Sequence, residues 1–562
     1  MKLPAGVRDH EFTAALTAFA GVVGKEWLFT TDDDLALYRD PYSILWGEAE
    51  ESWASAAVAP TSTDEVIALV KIANHFRIPI YPISTGRNFG YGGPAPSMAG
   101  CVVFDLKRMN RIVEIDERNA YAVVEPGVSY FDLYSAIQER GLKLWIDCAM
   151  PGWGALIGNA LDGGIGLTLA PYRAHFEAQC GIEAVLPNGQ LLRTGMGAMP
   201  TAKTWQHFKE GFGPRLDGLF KQSNFGIVTK MGFWLMPAPE NHTTGVVTVP
   251  GYRDITPLVD TISRLEHSRI VQGLWSIASP VAGTGIFVVQ GDVPSREKDP
   301  EIQALLSSPD GLDMDGLEAA GRRLNVPFWS CEFNFYGPRK MIEAQWSCVC
   351  EALSGIRGVS FHLNAISPLP LDKTTVDALP ETATFGIPTL RNFDLGPVPS
   401  SYDGQDVVGH VFFSPIVPRN GEVALEALAV FARIFRKYQL PFPPLQFPRS
   451  VFERSLLMEM GLPVTRSPVV NKKVRAMHAE LVQTAADHGW GAYRTATAFY
   501  DMVMDTYSFN DHALRTTLDT IKDALDPNGI VSPGRYSIWP RHLRGKRRAP
   551  ATSSDLSRRP KK

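Results

Sequence analysis

The chain has 562 residues, is 45% hydrophobic and 20% charged, and carries a formal net charge of −4. That composition is ordinary for a globular protein long enough to build two or more packed cores. No apolar run approaches the roughly 18 residues of a membrane span. The opening MKLPAGVRDHEF lacks the apolar stretch of a secretory signal, so a cytoplasmic location is expected. The six cysteines, Cys101, Cys148, Cys180, Cys331, Cys348 and Cys350, are scattered. Their spacing yields neither a zinc pattern nor a disulfide framework, and no metal is expected. Residues 541–562 hold nine Lys/Arg against the single acid Asp555, so this tail is +8 and the rest of the chain −12. A basic tail could touch nucleic acid or a membrane. Its Ser, Pro and Arg content instead predicts a solvated, disordered end with neither partner.

In chain order, Ser62 and Glu65 form a capping-box pattern, and Val66, Ile67, Leu69, Val70, Ala73 and Phe76 mark one helical face. The β-like run Ile78–Ile83 empties into the loop at 84–93, and a second apolar run follows at Cys101–Leu106. Ile112–Ile115 and Tyr121–Val124 flank a hairpin turn at 116–119. Ser129 with Asp132 starts a helix that ends near Gly141. Gly181–Leu186 and Gln190–Arg193 flank Pro187-Asn188-Gly189, a strong turn signal. From about residue 241 the texture changes. Thr243–Val249 and Gly285–Gln290 read as strands, and Met341–Leu353 and Glu422–Tyr438 as helices. A final helix around His512–Leu525 stops at Asp526-Pro527-Asn528-Gly529. There is no internal repeat, and the pattern is α+β throughout.

Three glycine-rich elements carry the chemistry. The loop Ser84-Thr85-Gly86-Arg87-Asn88-Phe89-Gly90-Tyr91-Gly92-Gly93 lets backbone approach a ligand closely. Its N–H groups, Arg87 and the polar side chains suit a pyrophosphate. The second element runs from Pro151-Gly152-Trp153-Gly154 through Gly158-Asn159 to Gly166. The third is Ser223-Asn224-Phe225-Gly226-Ile227-Val228, which enters a strand. None is a Rossmann fingerprint: Gly152, Gly154 and Gly158 have the wrong third interval, and no clean strand precedes them.

The stretches RIPIYPISTGRNFGYGG, GNALDGGIG, VLPNGQLLRTGMGA, QSNFGIVTKMGFWLMP, GAYRT and DALDPNGIVSPG occur in this order. Together they resemble the vanillyl-alcohol oxidase and p-cresol methylhydroxylase family of FAD-linked oxidases, from about residue 30 to 545. The resemblance implies a two-domain FAD-binding fold with an α+β cap over the flavin ring. The FAD-binding domain would span 1–240, the cap 241–494, a C-terminal return 495–545 and the basic tail 546–562. The cofactor residues implied are Ser84, Thr85, Gly86, Arg87, Asn88, Gly90, Tyr91, Gly92, Gly93, Met150, Pro151, Gly154, Gly158, Asn159, Gly226, Ile227, Val228 and Arg535. Tyr91, Tyr493 and Arg494 would hold a small phenol as its phenolate, with Arg535 beside the flavin. A fixed guanidinium and two hydroxyl donors stabilise the anion of a group whose pKa is about 10. The family further implies oxygen or a cytochrome as acceptor and a homo-oligomer.

Two departures from the family pattern stand out. In DCAMPGWG, Met150 occupies the place of an acid near the flavin's reactive centre, with Asp147 three residues earlier. A thioether cannot take a proton or activate water. In LPETATFGIP, Glu381 stands near the position of the histidine or tyrosine that tethers FAD in many members. His362 is too distant to serve, and His410 matches a different position. Non-covalent FAD is therefore expected. The leading reading is an oxidase or dehydrogenase of 4-hydroxybenzyl alcohols or 4-alkylphenols. A larger lignin-like phenol as substrate, and a flavin-binding protein without turnover, are the alternatives.

Overall fold

The computed structural model describes residues 3–4, 6–282, 299–307, 312–379, 381–391, 398–441, 446–447 and 452–546. The strand expected at Gly285–Gln290, and all but the first residue of the tail at 546–562, lie outside the described residues.

The first sheet orders its strands Leu28–Phe29, Ala54–Val58, Cys101–Asp105, Ile80–Ile83, and the last three run parallel. Ala54–Val58 and Cys101–Asp105 are buried at every residue, as continuous apolar strands covered on both faces should be. The helix Thr63–Phe76 makes the crossover and buries Val66, Leu69, Val70 and Ala73. Ser62 caps it by accepting from the Glu65 amide at 3.2 Å. The Glu65 carboxylate turns instead to the Thr61 amide at 2.7 Å, so the cap is one-sided rather than the reciprocal box the sequence predicts. The carboxyl end of strand Ile80–Ile83 opens directly into the loop at 84–93. Ligands of parallel sheets gather at such ends.

The second sheet is antiparallel, in the order Ile112–Asp116, Tyr121–Val124, Ile227–Trp234, Gln179–Val185, Leu191–Arg193. Both expected hairpins are present in it. The helix Tyr130–Glu139 carries the full Ser129/Asp132 box.

From Asn241 a third, larger sheet begins. It orders Ser360–Leu363, Asn241–Val249, Trp329–Tyr336, Trp275–Ala278 and Gln446–Phe447, all antiparallel. In Trp329–Tyr336 the side chains alternate. Cys331, Phe333 and Phe335 enter the hydrophobic core with residues of helices Ile255–His267, Arg339–Leu353 and Gly421–Lys437. Asn334 and Tyr336 turn the other way: Asn334 bonds His242 at 3.0 Å, and Tyr336 donates to the Thr384 carbonyl at 2.8 Å. The segment around Gly386-Ile387-Pro388 is thereby held under this sheet. On its far side the Gly152 amide donates to the Thr389 carbonyl at 2.9 Å. Mixed helix and strand content in this arrangement is the expected α+β class. Among the described residues no helix is long and apolar enough to cross a membrane.

After helix Phe509–Leu525 the chain returns to the first sheet. The Ile80 amide donates to Ile530 O at 2.7 Å, and the Ser532 amide to Ile80 O at 2.8 Å. Lys522 locks this return. It is fully buried, pairs with Asp526 at 2.8 Å, and donates to Asn224 O at 2.9 Å and Val531 O at 2.7 Å. Replacing Lys522 with Ala leaves the Asp526 carboxylate buried without its cation. Loss of one partner of a buried pair costs about 3–5 kcal/mol. Chemical denaturation should show a drop of that size; an unchanged midpoint would exclude Lys522 as the lock.

Candidate cofactor cleft and active site

The three glycine elements meet in one cleft. Its walls include Ser84, Thr85, Gly86, Arg87, Asn88 and Gly93 from the first loop, and Gly154, Gly158 and Asn159 from the second. Gly226, Ile227, Val228 and Arg535 complete the residues expected there. Gly90, Tyr91, Gly92, Met150 and Pro151, expected beside the cofactor, do not line this cleft. Gly90 faces His410 and Phe412. Gly92, at φ +118°, lies so close to Thr497 that a Cβ would come within 2.6 Å of its methyl group. Both glycines shape the turn that carries Tyr91. Met150 is half-buried against the core of the second sheet.

The first and second loops meet at Gly158, where a Cβ would stand 2.2 Å from Ser84 Oγ. Only glycine lets the second loop seat against the first. Among the lining residues not expected beside the cofactor are the polar Tyr81, Asp162, Asn224 and Ser532. Asn224 is informative. Its amide nitrogen donates to Ser532 O and Ile538 O, each at 2.9 Å, while its buried Oδ1 has no partner among the described residues. A buried acceptor without a donor is uncommon in a finished interior. With the glycine cradle and the exposed Arg87, it fits a large polar ligand with phosphate and amide groups, as FAD is.

At one end of the cleft Asp162 gathers the charged side chains. Its carboxylate accepts from Asn88 Nδ2 at 2.9 Å, Arg494 Nε at 2.9 Å, Arg535 at 2.9 Å and the Tyr536 hydroxyl at 2.6 Å. Burial opposes its charge, but the guanidinium groups of Arg494 and Arg535 outweigh burial and hold its pKa below the ordinary value. Arg494 also donates to Asn88 Oδ1 at 2.8 Å, and its guanidinium lies 3.7 Å over the Tyr91 ring. Arg535 reaches the Tyr81 hydroxyl at 2.7 Å.

Tyr91, Tyr493, Arg494 and Arg535 are thus brought into one region from three segments far apart in sequence. Burial raises the pKa of Tyr91 well above its usual value, and Glu459 adds to that. Burial also raises that of Tyr493, against the pull of Arg494. Both stay protonated, as donors should. The Tyr493 backbone is fixed by Gln222 Nε2, which donates to its carbonyl at 2.9 Å. The Tyr91 hydroxyl donates to Glu459 at 2.6 Å and lies 3.3 Å from Ser414 Oγ.

Asp147 and Glu381, the acids singled out in the sequence, are both engaged by nearby groups. Asp147 accepts from the Thr168 amide at 2.9 Å and pairs with His175 at 2.9 Å, whose other nitrogen meets the Tyr130 hydroxyl at 2.9 Å. Glu381 folds back onto the amides of Ala383 and Thr384. His362 is exposed and bonds Asn364, and His410 packs on Tyr42 and Phe412. Among the described residues no group of three or more His, Cys, Asp or Glu could hold a metal ion.

Asp162 makes the site pH-dependent. Its pKa is lowered on folding, so its contribution is complete above the ordinary carboxylate value of about 4 and fades as pH falls further. Asp162→Asn leaves the buried Arg494 and the part-exposed Arg535 guanidiniums against a neutral amide, a loss of about 3–5 kcal/mol. The variant should unfold at lower denaturant at pH 7, and its deficit relative to wild type should shrink below about pH 4. An equal deficit at every pH would show that Asp162 acts through shape rather than charge.

Comparison with known proteins matches this geometry. Residues 54–195 match an FAD binding domain model. The chain is 33% identical over 541 residues to the 4-cresol dehydrogenase [hydroxylating] flavoprotein subunit of Pseudomonas putida, covering 95% of this chain and 97% of that one. The solved structure of 4-ethylphenol oxidase from Gulosibacter chungangensis superposes with a TM-score of 0.80 at 33% identity, over 97% of this chain and 100% of the other. That of p-cresol methylhydroxylase gives 0.78 at 31% identity, over 96% and 99%. With three glycine elements closing one cleft and these relatives along its length, the chain belongs to the p-cresol methylhydroxylase and vanillyl-alcohol oxidase family of FAD-binding oxidoreductases.

Proposed function

We propose that the protein oxidises a small para-substituted phenol, a 4-hydroxybenzyl alcohol or a 4-alkylphenol, bound as its phenolate, with FAD held non-covalently. The observation that carries this reading is Arg494, buried and flanked by Tyr91 and Tyr493 beside the cofactor cleft. The relatives that act on 4-cresol and 4-ethylphenol support the same substrate class.

Ser84, Thr85, Gly86, Arg87, Asn88, Gly154, Gly158, Asn159, Asn224 and Arg535 would hold FAD. When bound, FAD supplies the two-electron acceptor for a benzylic hydride. The protein's own part is electrostatic. Arg494 supplies a fixed positive charge, and the two tyrosines supply neutral donors, where the phenolic oxygen carries its negative charge. The charged oxygen pushes density to the para carbon and eases departure of the benzylic hydride, leaving a quinone methide. With no acid at position 150, water adds to that product without base assistance from that position. Oxygen or a cytochrome takes the electrons; the relatives include both a dehydrogenase subunit and an oxidase.

Lys373 to Pro388 contains no histidine or tyrosine. Acid precipitation of the yellow protein should therefore leave the flavin in the supernatant; a yellow pellet would reveal a covalent link.

The phenolate reading has its own test. Arg494→Met removes the fixed countercharge, a loss of about 2–4 kcal/mol, or roughly 30- to 1000-fold in the rate of flavin reduction by 4-hydroxybenzyl alcohol. The O-methyl ether of that alcohol cannot form a phenolate and should not reduce the wild-type flavin. Equal reduction by alcohol and ether would refute this substrate class while leaving the family intact.

A further inference from the structure

A second buried cluster of arginines around one carboxylate lies apart from Asp162. Arg173 is fully buried, and its Nη2 donates to Glu266 Oε1 at 2.6 Å. Glu266 is also closed off from solvent. Its other oxygen accepts from Arg419 and, at 3.3 Å, from Trp275 Nε1. Arg419 donates further to His267 Nε2 at 3.0 Å. Glu453, which also faces Arg419, is paired with Arg269. Glu266 is thus shared between two guanidiniums and cannot neutralise both. Arg173 in addition keeps Nε and Nη1 buried without a hydrogen-bond partner among the described residues. A guanidinium can only donate, and donors left unmade in an interior are costly. An anion satisfies both the donors and the charge.

The chain sets this cluster close to the phenolate end of the site. Arg173-Ala174-His175 runs antiparallel to Gly164-Ile165-Gly166. The Gly166 amide donates to Arg173 O at 2.8 Å, and the His175 amide to Gly164 O at 3.2 Å. Just before that stretch, the Gly163 carbonyl accepts from the Tyr493 hydroxyl at 3.4 Å. Gly163 and Gly166 are three residues apart, at most roughly 10 Å of extended chain. The Arg173 side chain then reaches helix Ile255–His267, and its charge is felt at Tyr336 on the third sheet. The second glycine element therefore has the Asp162 cluster, with Arg494, near one end and Arg173 at the other. A phenol with a short acidic para side chain carries its two negative groups at a comparable separation.

We infer that Arg173 receives a carboxylate on the para side chain of the substrate, so that the substrate is a phenolic acid held as phenolate at Arg494 and as carboxylate at Arg173. This rests on the phenol reading above and narrows it. Glu266 stays with Arg419, and the unpartnered N–H groups of Arg173 go to the ligand. Taking a carboxylate out of water is costly unless a fixed charge and donors meet it, and Arg173 supplies both. A neutral side chain leaves those donors unmade, so the site discriminates against it.

The test compares 3-(4-hydroxyphenyl)propanoate with its primary amide, which has nearly the same shape and no charge. Each is used anaerobically to reduce the flavin of the loaded protein. Wild type should favour the acid by roughly 10- to 100-fold in rate over dissociation constant, the range of a hydrogen bond to a charged group. No preference, or a preference for the amide, would overturn the inference without any variant being made. Arg173→Met, with bound flavin measured first, should bring the acid-to-amide ratio to about one or below. An unchanged ratio in that variant would equally overturn the assignment.

A binding measurement on wild type needs no turnover. 4-Hydroxycinnamate has no saturated benzylic carbon and cannot give up hydride. It should perturb the flavin spectrum at roughly 10- to 100-fold lower concentration than its amide. Equal affinities would count against Arg173 as the carboxylate partner, whether or not Arg173→Met folds. Failure of the phenol reading would look different: the O-methyl ether of 3-(4-hydroxyphenyl)propanoate would then reduce the flavin as fast as the free phenol.

Discussion

The site depends on one buried carboxylate. Asp162 is 2% exposed and lies between two guanidiniums. It also caps the C-terminal end of the short helix Leu156–Leu161, where the helix dipole disfavours a negative charge. Arg494 and Arg535 offset both costs, and in return their own positions are fixed. Arg494 follows helix Pro468–Asp487, Arg535 follows helix Phe509–Leu525 and Asn88 comes from the first glycine loop, so one carboxylate ties three remote stretches to the second glycine loop. Without it, two positive charges would share a closed volume beside Tyr81, Tyr91 and Tyr536. With it, the net charge of the triad is +1, which suits an anionic ligand. The fold thus supplies an anion site by leaving one positive charge in excess of a buried ion cluster.

Much of this was legible in the sequence, and the limits have physical reasons. The strand Cys101–Asp105 is apolar up to its last residue and the glycine loops fall where backbone must approach backbone, so both announce themselves, whereas Ala54–Val58, built of alanine, one serine and one valine, does not. The residues of the first loop that line the cleft were identifiable because pyrophosphate chemistry needs donors and glycines together. Asp162 stood inside GNALDGGIG and was passed over, since an acid in a glycine motif carries no local sign that two arginines over 330 residues away will neutralise it. Asn224 was hidden in the same way: its value lies in one unpartnered oxygen, a property of packing. Glu459 has no motif at all. It lies in the short link between strands Ser455–Leu457 and Met460–Thr465, and only the tertiary fold brings it to Tyr91. Conversely, Gly90 and Gly92 were read as cofactor contacts from composition. Their conformations instead shape the turn that presents Tyr91, one step removed from the cleft.

The place of Met150 shows how such a site can dispense with an acid at one position and still manage protons. The nearest acid in sequence, Asp147, is spent on Thr168 and His175, a network that supports the second glycine loop from behind. A Cβ on Gly166 would fall 1.2 Å from the Asp147 carboxylate, which indicates how tightly that network is packed. Freeing Asp147 for chemistry would dismantle the support of the loop it sits under. Under the proposed reaction one proton leaves the phenolic oxygen and a second leaves the water that adds to the quinone methide, while the benzylic carbon gives up a hydride. An acid at position 150 would serve only the second. Glu459 lies beyond Tyr91, whose hydroxyl donates to it at 2.6 Å. A phenolate needs no base at its benzylic carbon to release hydride, and the quinone methide that follows is electrophilic enough to meet water unaided.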